Sequence, residues 1–264
     1  MRTIGMLGGM SWESTAEYYR LANELVRERL GGLHSAEVLV RSVDFAGIER
    51  LQAAGDWAGA GRVLAREAAA LEAGGAELLV LCTNTMHEVA GALQEAVDVP
   101  LLHIVDVTAA AVRAAGASRV GLLGTAFTME QASYRERMAA HGVEVVVPAP
   151  AQRALVHRVI YDELCRGVVD AASRAACLEV VADLAAAGCE GVVLGCTELE
   201  LLLRQEDTDV RLFPTTRLHV EAAVEAALEG GGWRRSVMRV RAADGGAAVT
   251  RSCRWPRGVD QPLG

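Results

Sequence analysis

Lysine is absent from this chain of 264 residues, and all 26 of its Lys and Arg positions are arginine. Pyridoxal phosphate enzymes and imine-forming aldolases need a lysine that bonds covalently to a carbonyl carbon. A P-loop needs the lysine of its GK[ST] sequence to reach the nucleotide phosphates. The composition therefore excludes these three classes of site.

Aromatic residues are also scarce, at 4% of a chain that is 52% hydrophobic, so alanine, valine and leucine must build the core. No apolar run is long enough to span a bilayer, and no secretory signal precedes the first strand pattern. The six cysteines are irregularly spaced and include no CxxC pair, which favours neither a zinc site nor a disulfide framework. We therefore expect a cytoplasmic protein with reduced thiols and no bound metal.

The net charge of −8 argues against nucleic acid as a partner, because phosphate contacts need a basic surface. This charge is unevenly distributed. Residues 231–264 contain seven arginines and two aspartates, which leaves residues 1–230 strongly acidic. We predict that residues 231–264 form a basic, poorly ordered C-terminal extension.

Short apolar runs alternate with alanine-rich helical patterns over residues 1–230, which is typical of an α/β fold with parallel sheets. A first helix is predicted over residues 12–30, with Ser11 as its N-cap and Gly31-Gly32 as its end. The predicted strands lie near residues 3–7, 36–43, 76–81, 100–104, 118–123, 143–147, 191–195 and 210–213.

The two halves of the chain repeat each other in the same order. Residues 4–8 resemble 120–124, the run before Cys82 resembles the run before Cys196, and residues 98–101 resemble 209–212. We interpret this as a duplication that gives two similar α/β domains related by a pseudo-twofold axis, with the active site in the cleft between them. The first domain is predicted over residues 1–103 plus 209–230, and the second over residues 104–208.

Cys82 and Cys196 each end an apolar run, and a threonine follows each of them. Ligands of α/β sheets bind beyond the carboxyl ends of the strands, so both thiols are expected at the cleft. A helix N-terminus after each cysteine is expected to lower its thiol pKa. Two opposed thiols can remove a proton from one face of a carbon and return it to the other. The cysteines at positions 165, 177 and 189 are predicted on helices or at a helix end, and we assign them to packing.

Polar residues next to the two thiols are candidate substrate contacts. Asn84, Thr85 and Thr197 can bind substrate or cap helices, and one residue can do both. Glu198 can bind a substrate ammonium group or hold protons beside Cys196, and it also suits the first turn of a helix.

A carboxylate substrate needs a cation, which in this chain must be an arginine or a backbone amide. Arg50 and Arg166 are candidates, and Gln52 is a neutral alternative. No histidine is distinguished by a motif, and structural roles are predicted for the histidines.

Three segments carry a resemblance to a known family: GMLGGMSWEST at residues 5–15, LCTNTMH at 81–87 and LGCTEL at 194–199. The chain resembles the aspartate/glutamate racemase family, especially its broad-specificity amino-acid racemase branch. The resemblance implies a two-domain α/β fold, no cofactor, a homodimer, and Cys82 and Cys196 as the catalytic residues. The substrate contacts that it implies are Met10, Gln52, Thr83, Asn84, Thr85, Thr197 and Glu198.

The resulting hypothesis is a cofactor-independent racemase that interconverts L- and D-amino acids, with aspartate or glutamate as the leading substrate class. One cysteine removes the α-proton while the other donates a proton to the opposite face. Two alternatives stay open. The first is a two-cysteine isomerase acting on maleate or hydantoins, and the second is a small-molecule binding protein without turnover.

Overall fold

Strands and helices alternate along the chain, as the apolar pattern predicts. The computed structural model describes residues 1–229, so the predicted extension at 231–264 lies outside the described residues. All eight predicted strands are present: β1 (Ile4–Gly8), β2 (Val38–Ser42), β3 (Leu78–Leu81), β4 (Leu101–Leu102), β5 (Arg119–Gly124), β6 (Glu144–Val146), β7 (Val192–Gly195) and β8 (Leu212–Pro214).

Helices connect the strands and cover both faces of each sheet. The α-helices are α1 (Trp12–Leu30), α2 (Phe45–Ala53), α3 (Trp57–Ala73), α4 (Ala90–Glu95), α5 (Ile104–Ala114), α6 (Ala126–Glu130), α7 (Ala132–Ala140), α8 (Pro150–Arg158), α9 (Ala171–Ala186), α10 (Thr197–Leu202) and α11 (Thr215–Leu228). Short 3-10 helices span Thr85–Val89, Leu164–Arg166 and Gln205–Asp207, and a π-helical turn spans Val159–Glu163. No helix within residues 1–229 has both the length and the hydrophobicity that a membrane crossing requires.

The first helix has the predicted bounds and caps. The Ser11 side chain accepts a hydrogen bond from the Ser14 N–H, and the Gly31 N–H donates to the Arg27 carbonyl at the other end. Because Ser11 lies between β1 and α1, this cap also holds the short loop that follows the strand in place.

Two four-stranded parallel sheets have the same internal order, β2-β1-β3-β4 in the first half and β6-β5-β7-β8 in the second. The three repeated segments therefore occupy equivalent strands: β1 and β5, β3 and β7, β4 and β8. The central strands β3 and β7 are buried along their whole length, which explains why their sequences are continuously apolar.

The predicted domain boundary is wrong for the last strand. β8 pairs with β7 in the second sheet, with Pro214 opposite Leu194, instead of returning to the first domain at 209–214. The reason is the repeat itself, since β8 fills the edge position that β4 fills in the first sheet. Helix α11 packs against α1 and α5, and the Arg2 N–H donates to the Ala227 carbonyl at 2.9 Å.

A buried histidine on α11 connects three elements. The His219 ring accepts a hydrogen bond from the Tyr18 hydroxyl of α1 at 2.8 Å, and its Nε2–H donates to the Leu102 carbonyl of β4 at 2.9 Å. Burial lowers the pKa of His219 to about 4, so the ring is neutral near neutral pH and keeps this arrangement. This agrees with the structural role predicted for the histidines.

Gly9, directly after β1, has a φ of +92°, and a Cβ built there would lie 2.2 Å from the Val43 carbonyl oxygen. We expect Gly9→Ala to lower the free energy of unfolding by roughly 2–5 kcal/mol, through backbone strain together with overpacking. The matched control is Gly31→Ala, which has a φ of +74° but no atom within 4 Å of its Cβ. Backbone strain alone predicts that the control lowers the free energy of unfolding by about 1–2 kcal/mol. Equal decreases for the two variants in urea denaturation would contradict the steric explanation.

Candidate active site

A cavity lies between the two halves of the fold, where the strands β1, β3, β5 and β7 end. It encloses about 510 Å³ of space free of protein atoms, including the part that is open to solvent at its mouth. Met10 and Ser11 follow β1, Thr125 follows β5, and the remaining loop residues follow β3 and β7. This is the position at which α/β sheets bind ligands.

Most of the predicted site residues line this one cavity. Those that the structure brings together are Met10, Gln52, Thr83, Asn84, Thr85, Cys196, Thr197 and Glu198. Cys82 and Arg166 are not among the lining residues. Cys82 is completely buried and directly precedes the lining segment Thr83–Thr85, whereas Arg166 is exposed to solvent.

The carboxylate of Glu198 is the centre of the hydrogen bonding in the cavity. Its Oε2 accepts a hydrogen bond from the Cys196 thiol at 2.9 Å. Its Oε1 accepts from the hydroxyls of Ser11 at 2.7 Å and Ser14 at 3.4 Å. Because the two serines belong to the first half and Cys196 to the second, this buried carboxylate joins the two halves across the cleft.

The expected decrease in thiol pKa is wrong for both cysteines. Burial raises the pKa of Cys82, and burial together with the neighbouring Glu198 carboxylate raises the pKa of Cys196. The helices after the cysteines are short, and loss of hydration outweighs their field. Both groups are therefore thiols at neutral pH.

Asn84, which lines the cavity, has an unused hydrogen-bond acceptor. Thr215 donates its hydroxyl hydrogen to the Leu194 carbonyl at 2.8 Å, so the Thr215 oxygen accepts from the Asn84 side-chain nitrogen at 2.9 Å. This chain of bonds fixes which end of the Asn84 amide is oxygen. Within the described residues that oxygen is buried without a hydrogen-bond partner.

Threonine hydroxyls surround the same space. Thr85, Thr125 and Thr128 form a triangle with oxygen–oxygen distances of 3.2–3.3 Å, and this triangle also joins the two halves. Thr197 accepts from the Thr216 hydroxyl at 2.9 Å, which leaves its own hydroxyl hydrogen free to donate.

Two of the neutral predicted contacts, Gln52 and Thr83, are held by buried groups behind the cavity. The Gln52 side-chain nitrogen donates to the Met86 sulfur at 2.8 Å. His87 donates from Nδ1 to the Thr83 carbonyl at 2.7 Å, and its other ring nitrogen accepts from the Ile104 N–H. The loop after β3 is thus positioned by a neutral histidine, whose pKa burial lowers.

The two arginines that are candidate cations for the substrate carboxylate are exposed and do not line the cavity. Arg50 is exposed, and its Nε donates to the Ala46 carbonyl one turn away at 3.1 Å. Arg166 is also exposed, at the end of the 3-10 helix Leu164–Arg166. Neither is a lining residue, while the neutral alternative Gln52 is. Within residues 1–229 no group of three His, Cys, Asp or Glu side chains is arranged to hold a metal ion.

Sequence reasoning missed one wall of the cavity, which contains Ile160, Tyr161 and Cys165. The sequence pattern predicts Cys165 as a packing residue on a helix. Its place at the cavity depends on the π-helical turn Val159–Glu163, which shifts the following residues relative to an α-helix. No feature of the local sequence marks that turn.

The family model for Asp/Glu/hydantoin racemases matches residues 7–223 of this chain. The chain belongs to the Asp/Glu/hydantoin racemase family. The matched segment contains both cysteines and every residue that lines the cavity. Members of this family are racemases and related isomerases, so the family agrees with an isomerase.

Solved structures of the family have the same fold. A provisionally assigned Asp/Glu racemase from Yersinia pestis is 48% identical, with a TM-score of 0.82 over 86% of this chain and 100% of that one. An aspartate racemase homologue from Pyrococcus horikoshii OT3 is 34% identical, with a TM-score of 0.77 over 86% and 99% of the two chains. Glutamate racemase from Francisella tularensis, solved with D-glutamate, is 14% identical with a TM-score of 0.63 over 87% and 81% of the chains, and supports the fold alone.

Because the Glu198 carboxylate raises the pKa of the Cys196 thiol, we expect Glu198→Gln to lower that pKa. Alkylation of Cys196 by iodoacetamide, followed by mass spectrometry of its peptide, should then reach half its maximal rate at a lower pH than in the wild type. The matched control is Glu49→Gln, which removes an exposed carboxylate of α2 that is not the partner of the Cys196 thiol. An unchanged alkylation profile for Glu198→Gln, or the same decrease in both variants, would contradict a specific Glu198–Cys196 contact.

Proposed function

We propose that this protein is a cofactor-independent amino-acid racemase that moves the α-proton between Cys82 and Cys196. The observation that carries the proposal is the Cys196–Glu198 hydrogen bond at a cavity whose opposite side is the loop that follows Cys82. Two-base proton transfer needs one acid–base group for each face of the α-carbon. Cys196 lines the cavity, and Cys82 is buried directly before the lining loop on the other side. Membership of a racemase and isomerase family supports this reading.

Cys196 can become a base through its carboxylate partner. When its proton passes to Glu198 Oε2 along the 2.9 Å hydrogen bond, a thiolate replaces the carboxylate charge and the total charge of the pair does not change. The hydroxyls of Ser11 and Ser14 bind Oε1 and hold the carboxyl group in place during this transfer. The resulting thiolate can remove an α-proton from the face of the substrate that it meets.

Cys82 is suited to begin as the proton donor. It has no carboxylate partner, it is completely buried, and burial raises its pKa, so it is protonated in the resting enzyme. After it donates to the opposite face of the α-carbon, it is a thiolate, and the reverse reaction starts from that state. The two cysteines thus have unlike surroundings, although each acts as acid in one direction and base in the other.

The polar groups of the cavity match an amino acid. The free Asn84 side-chain oxygen can accept a hydrogen bond from the substrate ammonium group. The Thr197 hydroxyl hydrogen is available to the substrate carboxylate, and the Thr85 and Thr125 hydroxyls can turn from each other toward it. Donors on the carboxylate stabilise the charge that develops when the α-proton leaves.

Substitution of either cysteine tests the mechanism directly. We expect Cys82→Ser and Cys196→Ser each to lower kcat for racemisation by about 10³-fold or more, because serine is a far weaker acid and base at neutral pH. Circular dichroism of a panel of D- and L-amino acids, without added cofactor, measures the rate in both directions.

The matched control is Cys177→Ser, a buried thiol in the core of the second half that does not line the cavity. It should keep racemase activity once its thermal stability is confirmed. Retention of wild-type activity by both Cys82→Ser and Cys196→Ser would reject the two-thiol mechanism.

A further inference from the structure

One wall of the cavity has no part in the proton transfer proposed above. It consists of Ile160 and Tyr161, from the π-helical turn Val159–Glu163, and of Cys165 in the 3-10 helix that follows. Isolated π-helical turns are rare and frequently occur at functional sites. This wall is therefore a part of the cavity that can contact a substrate side chain.

The wall is uncharged. Burial raises the pKa of Tyr161 to about 12, and it also raises the pKa of Cys165 to about 12. Nearby acidic groups, Glu198 among them, add to both increases, so the field of the Glu198 carboxylate extends over this wall. The phenol and the thiol are both neutral near neutral pH.

The charge of the cavity has one sign. The residues that line the cavity all lie in the part of the chain that the structure describes. Glu198 is the only Asp, Glu, Arg or His among them. A substrate carboxylate beyond the α-carboxylate would thus meet the buried Glu198 without a lining cation to offset the repulsion. An uncharged side chain meets no such penalty, and it can contact Ile160 or the Tyr161 hydroxyl.

We propose that this cavity selects amino acids with uncharged side chains over dicarboxylic ones, with Ile160, Tyr161 and Cys165 in contact with the side chain. The proposal rests on the racemase function proposed above and narrows its substrate class. It departs from the expectation of aspartate or glutamate that the family resemblance raises. The reason is electrostatic, because a like charge placed beside a buried carboxylate is disfavoured at any orientation.

The test compares substrates that have the same shape and differ in charge. With the full-length protein, kcat/KM is measured for glutamine against glutamate and for asparagine against aspartate. We expect the uncharged member of each pair to be favoured by roughly 100-fold or more, because the like charge of the other member is uncompensated. Added salt should raise kcat/KM for the charged member more than for its amide, because the penalty is a charge repulsion.

A substitution on the wall provides a second readout. Tyr161→Arg places a cation beside the side-chain position, and we expect it to reduce the glutamine-to-glutamate ratio by roughly 10-fold or more. The matched control Val168→Arg adds the same cation at an exposed residue that does not line the cavity, and it should leave the ratio within about 2-fold of the wild type.

The possible failures are distinguishable. If aspartate or glutamate is racemised as fast as its amide or faster, the racemase function holds and the selection of uncharged side chains is wrong. If none of the four amino acids, nor alanine or serine, is racemised, the proposed function and this inference both fail.

Discussion

The hydrogen bonds to Glu198 are the interaction on which the closed site depends. A single buried carboxylate accepts from Ser11 and Ser14 of the first half and from Cys196 of the second. A charged acceptor with several donors is among the stronger hydrogen-bond arrangements in proteins, and removal of one partner leaves the others buried and unsatisfied. The orientation of the Cys196 thiol and the negative field of the cavity both follow from this one group.

Burial explains why the two thiols need different partners. A thiolate in a dry cleft is costly, and the pKa of each cysteine is raised accordingly. For Cys196 the carboxylate nearby offers a place for the proton, so a base can form without a change in total charge. Cys82 has only its burial and the neutral histidine that holds the next loop residue, Thr83, so it remains protonated until substrate is bound.

Much of the fold could be predicted because its signals are local. The apolar runs gave all eight strands, and the Ser11 cap with Gly31 defined α1 to the residue. The predicted return of β8 to the first domain is wrong because strand neighbours follow the repeat, in which β8 corresponds to β4 of the first sheet. Eight of the ten predicted site residues line one cavity, since parallel strands bring their carboxyl ends to one edge.

The remaining part of the site depends on geometry that local sequence does not encode. The wall of Ile160, Tyr161 and Cys165 exists because a helix widens into a π-helical turn, and the raised thiol pKa values follow from packing density around each sulfur.

The central claim is that two cysteines on opposite faces exchange the α-proton. The most direct measurement incubates one enantiomer in deuterium oxide and follows the α-position of both enantiomers by mass spectrometry at early conversion. We predict deuterium at the α-position of the product while the unreacted substrate keeps its hydrogen. Product that retains the original hydrogen, or equal labelling of both enantiomers from the start, would contradict the two-thiol mechanism.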